Sequence, residues 1–328
     1  MRAYRVEEPN GLFIPVDIPV PVPASGQALV RIHASGVNPL DTKIRAGQAA
    51  HAKQPLPAVL GLDMAGVVEQ VGSGVINFKP GDEVYGLVGG VGGHQGTLAE
   101  YIVVDVSLLA HKPKCLSMRQ AAVLPLITIT AWEGLIDHAK VNSSQQVLIH
   151  AGAGGVGHIA VQLAKASGAE VFATVSQDKQ HIVESYGAIP IDYREFSPEQ
   201  YIEKFTSGEG FDIVYDTVGG ATIDASFLAV KRYTGHVVSC LGWSSHSLAP
   251  LSFRSATYSG VFTLSPLLSG IGRANHGAIL RQAAELADAG KLRPLLNEQH
   301  FSASRPGDIE AAHTLVAAGA LGKVAVDL

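Results

Sequence analysis

Three glycines between an apolar run and a segment of helical spacing form a pattern that can bind phosphate. Gly152, Gly154 and Gly157 fit G-x-G-x-x-G directly after the β-branched run Val147–Ile149. The first glycine permits a tight turn, the second lets backbone N–H groups reach a pyrophosphate, and the third lets a helix pack on the sheet. The positive end of that helix would face the phosphate charge. With a second strand at Glu170–Val175, the passage predicts a dinucleotide-binding turn.

The end of that second strand bears on which dinucleotide is bound. NAD-binding folds place an acidic residue there to hold the ribose hydroxyls, whereas this strand ends at Ser176. A serine can donate a hydrogen bond to a 2′-phosphate, and Lys179 follows one helical turn later. Asp178 is either an N-cap or first-turn acid of the next helix, or a ribose ligand that would favour NAD. Ser176 and Lys179 favour NADP(H).

Length and composition indicate a compact protein. At 328 residues the chain exceeds a typical domain, which predicts two domains. Apolar residues make up 47% and charged residues 16%, so little disorder is expected. The net charge of −5 gives no electrostatic reason to expect nucleic acid or an anionic membrane as partner.

The chain also suggests a compartment. Its N-terminus lacks the apolar core of a signal peptide, and the most apolar stretch, Ala121–Trp132, is too short to span a bilayer. Cys115 and Cys240 lie far apart in the sequence and predict free thiols in a reducing environment. We therefore expect a cytoplasmic enzyme.

The first part of the chain predicts a mostly antiparallel β domain. Strand-like alternation occurs at residues 28–34, 64–71 and 83–88, and residues 79–82 form a turn between the last two. The end of the chain contains helices at 278–289 and 307–318 and a closing strand at 323–328. That strand is expected to return to the first domain.

The middle of the chain predicts an α/β architecture with a doubly wound parallel sheet, because strands alternate with helices. A helix is predicted over 119–138. The predicted strands are 147–151, 170–175, 189–191, 213–216 and 236–240, and the helices between them are 158–167, 179–186, 198–206 and 221–230. We expect residues 121–264 to form the dinucleotide-binding domain, and residues 1–120 with 265–328 to form the other.

Several further motifs give the chain a family resemblance. They are Gly36-Val37-Asn38-Pro39-x-Asp41, Arg45-x-Gly47, Gly61-x-Asp63-x-Ala65-Gly66-Val67-Val68, Val71-Gly72-Ser73-Gly74-Val75, Gly81-Asp82-Glu83-Val84, Gly96-Thr97-Leu98-Ala99-Glu100-Tyr101, Leu124-Pro125-x-x-x-x-Thr130-Ala131-Trp132, Asp216-Thr217-Val218-Gly219-Gly220 and Gly322-Lys323-Val324. Together with the glycine turn they resemble the zinc-independent quinone oxidoreductase branch of the medium-chain dehydrogenase/reductase (alcohol dehydrogenase-like) superfamily.

The resemblance implies a Rossmann domain and a GroES-like substrate domain with the cofactor in the cleft between them. It also implies direct hydride transfer from NADPH to a quinone or enone, and a homodimer or homotetramer. Alternatives are an alcohol dehydrogenase or enoyl-thioester reductase of the same superfamily, or a catalytically idle NADPH-binding protein.

Zinc distinguishes the branches of this superfamily. Zinc-dependent relatives need a thiolate where this chain has Asn38, and a His-Glu pair where it has Leu62-Asp63. Catalytic zinc takes about three protein ligands of the Cys, His or carboxylate type, and a carboxamide is a poor substitute. His94 is interpreted as a surface loop residue. We expect no bound metal.

The resemblance also assigns catalytic residues. Asn38 would donate a hydrogen bond to the acceptor oxygen, or else cap the turn before Pro39. Thr130 would contact the nicotinamide, or else bond its own preceding helical turn. Asp41 would act in catalysis, or else orient Arg45 or a turn.

The predicted cofactor residues extend beyond the first glycines. In the glycine turn they are Gly152, Gly154, Gly155, Val156 and Gly157. The resemblance adds Tyr193 at the 2′-phosphate beside Ser176 and Lys179, and Gly219, Leu241, Gly242, Val261, Phe262 and Thr263 after later strands. Val261 and Phe262 could instead pack in the core.

One position departs from the family pattern. Close relatives have a tyrosine where this chain has Ala49, which either widens the substrate mouth or leaves His51 to form the wall. The nearby segment 86–96 is glycine-rich, which suggests a mobile lid or a close backbone contact.

Overall fold

The computed structural model describes residues 1–328, and the chain divides into two compact units. One unit comprises Met1–Ile129 and Leu264–Leu328, and the other comprises Thr130–Thr263. The second unit is therefore an insertion within the first. Residues 121–129 lie in the first unit, although the sequence analysis assigned them to the dinucleotide-binding domain.

The elements are numbered in chain order. The strands are β1 (Arg2–Val6), β2 (Ile14–Asp17), β3 (Gln27–Val37), β4 (Ala58–Val59), β5 (Asp63–Val71), β6 (Glu83–Leu87), β7 (Tyr101–Asp105), β8 (Leu109–His111), β9 (Gln146–Ile149), β10 (Glu170–Val175), β11 (Ile189–Asp192), β12 (Ile213–Asp216), β13 (His236–Ser239), β14 (Thr257–Gly260), β15 (Phe301–Ser302) and β16 (Val324–Asp327).

The α-helices are α1 (Pro39–Arg45), α2 (Met118–Ala122), α3 (Pro125–Trp132), α4 (Gly155–Ala166), α5 (Gln180–Ser185), α6 (Pro198–Thr206), α7 (Ala221–Ala229), α8 (Ala249–Ser252), α9 (Ser265–Ser269), α10 (Arg273–Asp288) and α11 (Asp308–Ala317). Short 3₁₀ helices occur at Ala50–Ala52, Val106–Leu108 and Gln177–Lys179, and a π-helix at Glu133–His138. No helix has both the length and the apolar character that crossing a membrane requires.

The second unit contains a six-stranded parallel sheet in the order β11-β10-β9-β12-β13-β14. The predicted α/β class is confirmed. Strands β9 and β12 lie at its centre, and the buried run Val147–Ile149 reflects coverage of both faces by helices. The strand order reverses between these two strands, so their carboxyl ends open onto the crevice where such sheets bind ligands.

Strand β14 was not predicted from the sequence. It forms one edge of the parallel sheet, and Thr257, Tyr258 and Gly260 are exposed. An edge strand with polar residues and glycine lacks the apolar run by which a central strand is recognised.

The first unit contains a largely antiparallel sheet in the order β15-β16-β3-β5-β6-β8, with β7 paired to β3. A smaller sheet has the order β2-β1-β4. Strand β16 pairs antiparallel with β3, from Val324 opposite Val37 to Asp327 opposite Ala34. The expected return of the closing strand to the first domain is therefore observed.

The helix predicted over 119–138 is divided into α2, α3 and the π-helix. Pro125 begins α3, because proline lacks an N–H and restricts the residue before it. In the π-helix, Tyr215 packs against Gly134, where a Cβ would lie 2.8 Å from the ring Cζ. The Tyr215 hydroxyl donates to the Thr130 carbonyl at 2.7 Å, which satisfies a backbone acceptor near the change of helical pitch.

The apolar core of the second unit predicts a large effect for a cavity mutation. Leu148 is fully buried among residues that include Phe172 and Phe211, whose rings lie 5.3 Å apart. Leu148→Ala should lower the free energy of unfolding by about 3 kcal/mol, measured by urea unfolding. Leu248 is 58% exposed, so Leu248→Ala is the matched control and should cost less than about 0.5 kcal/mol. Equal losses in both variants would contradict this packing.

Candidate active site

The turn between β9 and α4 is too crowded for side chains at two glycine positions. A Cβ added at Gly152 would lie 2.5 Å from the Ala173 Cβ, and one at Gly157 would overlap the Ala151 carbonyl oxygen. Ala151 itself has a φ of +52°, and its carbonyl accepts from the Gly154 N–H at 2.8 Å. The glycines therefore permit the close packing of helix on sheet that their spacing predicts.

This turn presents backbone donors to an anion. Gly154 is the extended N-cap of α4, and the first backbone bond of the helix runs from the His158 N–H to the Gly154 carbonyl at 3.1 Å. The N–H groups of Gly155, Val156 and Gly157 precede that bond and have no partner within the helix. Together with the helix dipole, they fit a pyrophosphate.

Near the end of β10, the carboxylate of Asp178 lies close to two cations. The Ser176 hydroxyl donates to Asp178, and this bond, with the charges of Lys179 and Arg194, lowers the pKa of Asp178. Asp178 lies in the first turn of the 3₁₀ helix Gln177–Lys179, which agrees with its interpretation as a first-turn acid. The Arg194 guanidinium lies 5.6 Å from the centre of the Tyr193 ring.

Arg194 was not among the predicted cofactor residues. Its proximity to Asp178 places a second cation near the predicted 2′-phosphate position. The only sequence signal was its place directly after Tyr193, and the approach of β11 to β10 depends on the tertiary fold.

Asp216 fixes the loops that follow β12 and β13. Its carboxylate accepts from the Gly219 N–H at 3.0 Å and from the Ser239 hydroxyl at 2.7 Å. The Ser239 oxygen also accepts from the Leu241 N–H at 3.1 Å. Sequence analysis assigned Gly219 and Leu241 to the cofactor but missed the two side chains that hold them. A carboxylate three residues before paired glycines, typical of an Asx turn, was the available signal.

Thr130 and Thr263, which are remote in sequence, are brought together within the second unit. Their hydroxyls lie 2.9 Å apart, and the Thr263 hydroxyl also donates to Glu133 at 3.3 Å. Val261 is buried, as its core-packing interpretation requires, whereas Phe262 is 38% exposed. The Phe262 ring packs edge-on at 5.7 Å against that of Trp243.

The first unit contains a buried network around Asn38. The Asn38 side-chain nitrogen donates to Asp63 at 2.9 Å, and its oxygen accepts from the Lys323 ammonium. Lys323 also donates to the Val37 carbonyl at 3.0 Å. Asp41 accepts from the Asn38 backbone N–H at 2.8 Å and so caps α1. All four side chains are buried, at most 5% exposed.

Burial has the largest effect on the pKa values of the charged groups in this network. It raises the pKa of Asp41 to about 7, against the opposing hydrogen bond from the Asn38 backbone, and it raises the pKa of Asp63 to about 7 against the opposing charge of Lys323. Burial likewise lowers the pKa of Lys323, while both carboxylates raise it. Burial therefore shifts the pKa values of both acids toward neutral pH.

These contacts bear on the open alternatives. Asp41 orients the turn at Asn38, whereas Arg45 donates to the Gly11 carbonyl at 2.9 Å and stacks on Phe13. Asn38 caps nothing with its side chain. Its oxygen accepts from Lys323, its nitrogen donates to Asp63, and a further side-chain hydrogen bond from Asn38 lowers the pKa of Asp41. The catalytic roles of Asn38, Asp41 and Thr130 stay predictions.

A cavity of about 330 Å³ opens beside Ala49 in the first unit. His51 is not among the residues that line it, so the imidazole ring of His51 does not close the space beside Ala49. The adjacent glycine-rich segment makes close backbone contacts: a Cβ at Gly90 would overlap the Gly61 carbonyl, and one at Gly96 would overlap the Leu60 backbone. Of its two interpretations, the close contact is observed.

No group of three or more His, Cys, Asp or Glu residues has an arrangement that could hold a metal ion. The prediction that no metal is bound is instead argued from the donor atoms around Asn38, whose carboxamide is a poor metal ligand.

Two family models match the chain. The alcohol dehydrogenase GroES-like domain matches residues 24–114, and the domain described as a zinc-binding dehydrogenase matches residues 155–270.

Named relatives agree with these matches. The chain is 36% identical to the NADPH-dependent alkenal/one oxidoreductase, chloroplastic, of Arabidopsis thaliana, over 99% of this chain and 79% of that protein. It is 34% identical to the quinone oxidoreductase of Homo sapiens over 73% of this chain and 72% of that one. A crystal structure of an alcohol dehydrogenase superfamily protein from Novosphingobium aromaticivorans has a TM-score of 0.97 at 54% identity, covering 100% and 99% of the two chains.

The fold, the glycine turn and the comparisons together define the class of this protein, which is a nicotinamide-dependent oxidoreductase. The chain belongs to the medium-chain dehydrogenase/reductase superfamily, in the branch of the quinone oxidoreductases.

The buried acids make stability depend on pH. The folded-state pKa of Asp41 is about 7, against 3.8 for an exposed aspartate, so the folded chain binds more protons than the unfolded chain between these values. The free energy of unfolding should therefore fall as pH rises from about 4 to about 7. Relative to Asp41→Asn, the wild-type chain should lose up to about 1.4 kcal/mol per pH unit in this range, measured by urea unfolding.

The exposed Asp17→Asn change controls for the loss of one negative charge. If the stability difference between wild type and Asp41→Asn does not change with pH, Asp41 does not take up a proton on folding.

Proposed function

We propose that this chain transfers hydride from NADPH to a quinone or an α,β-unsaturated carbonyl compound without a metal ion. The observation that carries the proposal is the crowded glycine turn at α4, whose free N–H groups suit a dinucleotide pyrophosphate. The names of the relatives, quinone oxidoreductase and NADPH-dependent alkenal/one oxidoreductase, support the acceptor classes.

The Asn38 network supports independence from metal. The only oxygen of the Asn38 side chain faces a buried ammonium, which would repel a cation at that atom. An alcohol needs a Lewis acid to lower the pKa of its hydroxyl, whereas a quinone or enone spreads the incoming charge over its conjugated system. Activated acceptors therefore suit this donor set better than alcohols.

The charges at the end of β10 support NADPH over NADH. Lys179 and Arg194 together outweigh Asp178, and a 2′-phosphate could replace the carboxylate as the partner of Ser176. Tyr193 is 54% exposed beside Arg194 and offers an aromatic surface there.

The roles of the chain's own residues follow from their contacts. When bound, the nicotinamide supplies the hydride. The paired hydroxyls of Thr130 and Thr263 would orient its carboxamide, because each can donate or accept. Asn38 and Asp41 would act as positioning residues that fix the start of α1, since Asp41 accepts from the Asn38 backbone N–H and the Asn38 side chain donates to Asp63.

The exposed edge of the parallel sheet supports a homodimer, or a homotetramer built from such dimers. β14 leaves one row of backbone groups unpaired, and two copies related by a twofold axis could pair these edges. A cytoplasmic location is also part of the proposal, supported by the free thiols of Cys115 and Cys240.

The reaction is tested by following NADPH absorbance with purified protein. We expect oxidation of NADPH with menadione and with methyl vinyl ketone, no reduction of NADP⁺ with benzyl alcohol, and rates unchanged by EDTA. Loss of activity on chelation would contradict the metal-free proposal. NADPH binding without turnover of any acceptor would instead indicate the catalytically idle alternative.

Coenzyme choice has its own test. Lys179→Ala should raise the KM for NADPH about tenfold and change that for NADH little, because it removes one charge-assisted contact to the 2′-phosphate. Asp178→Asn should shift the preference further toward NADPH. Lys204→Ala, on α6 of the same unit, is the control and should change neither constant. Equal effects of Lys179→Ala on both coenzymes would contradict the assignment.

A further inference from the structure

The cavity beside Ala49 is large enough to hold a small molecule. Its volume of about 330 Å³ lies at the lower end of the range for ligand pockets. Its lining residues are Ile44, Gly47, Ala49, Ala50, Lys53, Gln54 and Pro55. Ile44 lies one helical turn after Asp41 on α1, so the apolar part of the cavity adjoins the helix that begins at the Asn38 network.

Lys53 is the only cation of this lining, and no lining residue is acidic. It is exposed, and it takes no part in the ion pairs of the chain. Its φ is +50°, a left-handed conformation that lysine rarely adopts, at the end of the 3₁₀ helix Ala50–Ala52.

The wall that carries Lys53 is held in place. The Gln54 side chain accepts from the Gly93 N–H at 2.9 Å and donates to the His94 carbonyl at 3.2 Å. The Gly92 N–H donates to the Ala52 carbonyl at 2.9 Å. These bonds tie the lysine's neighbours on both sides to the glycine-rich segment, so the cavity is preorganised.

We propose that this cavity binds a carboxylate-bearing tail of the acceptor, with the Lys53 ammonium on the carboxylate and the apolar lining on the carbon chain. The preferred acceptors are then anionic α,β-unsaturated carbonyl compounds. This inference rests on the proposed function, since it concerns the acceptor of that reaction.

The test compares one enone acid, with a carboxylate at the end of a short alkyl chain, and its methyl ester. The two have the same reacting group and differ in one distant charge. We expect the acid to have the higher kcat/KM, and the acid-to-ester ratio to fall about tenfold in Lys53→Asn, because a charge-assisted contact is lost. Asparagine tolerates a left-handed backbone, so this variant should retain the fold. Lys53→Asp should lower the ratio further, by repulsion.

Lys140→Asn is the matched control. Lys140 is also an exposed lysine with a left-handed φ, of +54°, but it lies outside the cavity lining. The acid-to-ester ratio of kcat/KM in Lys140→Asn should equal that of the wild-type protein. The wild-type preference should also weaken with added salt, as expected for an exposed charge.

The outcomes separate the inference from the proposed function. Turnover of both compounds with a ratio unaffected by Lys53→Asn or Lys53→Asp would overturn the inference and leave the function standing. Turnover of neither compound would count against the function. Calorimetry with the saturated keto acid then decides the inference: binding that Lys53→Asn weakens about tenfold supports it, and absence of binding overturns it.

Discussion

The absence of a side chain at Gly157, in the first turn of α4, determines how this chain can bind its cofactor. Because a Cβ at Gly157 would overlap the Ala151 carbonyl, only glycine lets the helix approach β9 so closely. That approach places the free N–H groups of the first helical turn at the carboxyl edge of the sheet, next to the point where the strand order reverses. The Asp216 contacts to Gly219 and Ser239 hold the neighbouring loops at the same edge.

A buried charge organises the first unit in a comparable way. Lys323, at the start of the closing strand, contacts Val37 and Asn38, and Asn38 in turn contacts Asp63. The Asp63 carboxylate also accepts from the Leu126 N–H at 3.0 Å. The closing strand is therefore connected through Asn38 and Asp63 to segments far from it in the sequence. Removal of the Lys323 ammonium would leave the buried acids without a counter-charge.

The sequence predicted those features that depend on local pattern. The glycine spacing and the apolar runs identified the nucleotide turn and five strands of the parallel sheet. The helix α6 was predicted with its observed bounds, and the structure shows Ser197 as its N-cap and Pro198 at its first position. The short helix α1 was missed, although Pro39 occupies a favoured first position, because seven residues, about two turns, are too few to show a period.

The rest depends on contacts that no local pattern contains. Lys323, which donates to the Asn38 side chain, lies 285 residues away in the sequence. The sequence could therefore suggest that Asn38 bonds the acceptor or caps a turn, but it could not predict the contact with Lys323. Arg194 joins the Asp178 cluster only because β11 pairs with β10. The π-helix lies where Tyr215 packs against Gly134, a contact that the predicted continuous helix over 119–138 did not include.

Deuterium transfer tests the central claim, that a nicotinamide bound at the second unit delivers its hydride directly to the acceptor. NADPH deuterated at one face of nicotinamide carbon four is supplied with an enone, and the product is analysed by mass spectrometry and NMR. The account predicts one deuterium at the β-carbon from one of the two labelled stereoisomers and none from the other. Product without label from either stereoisomer would contradict direct transfer.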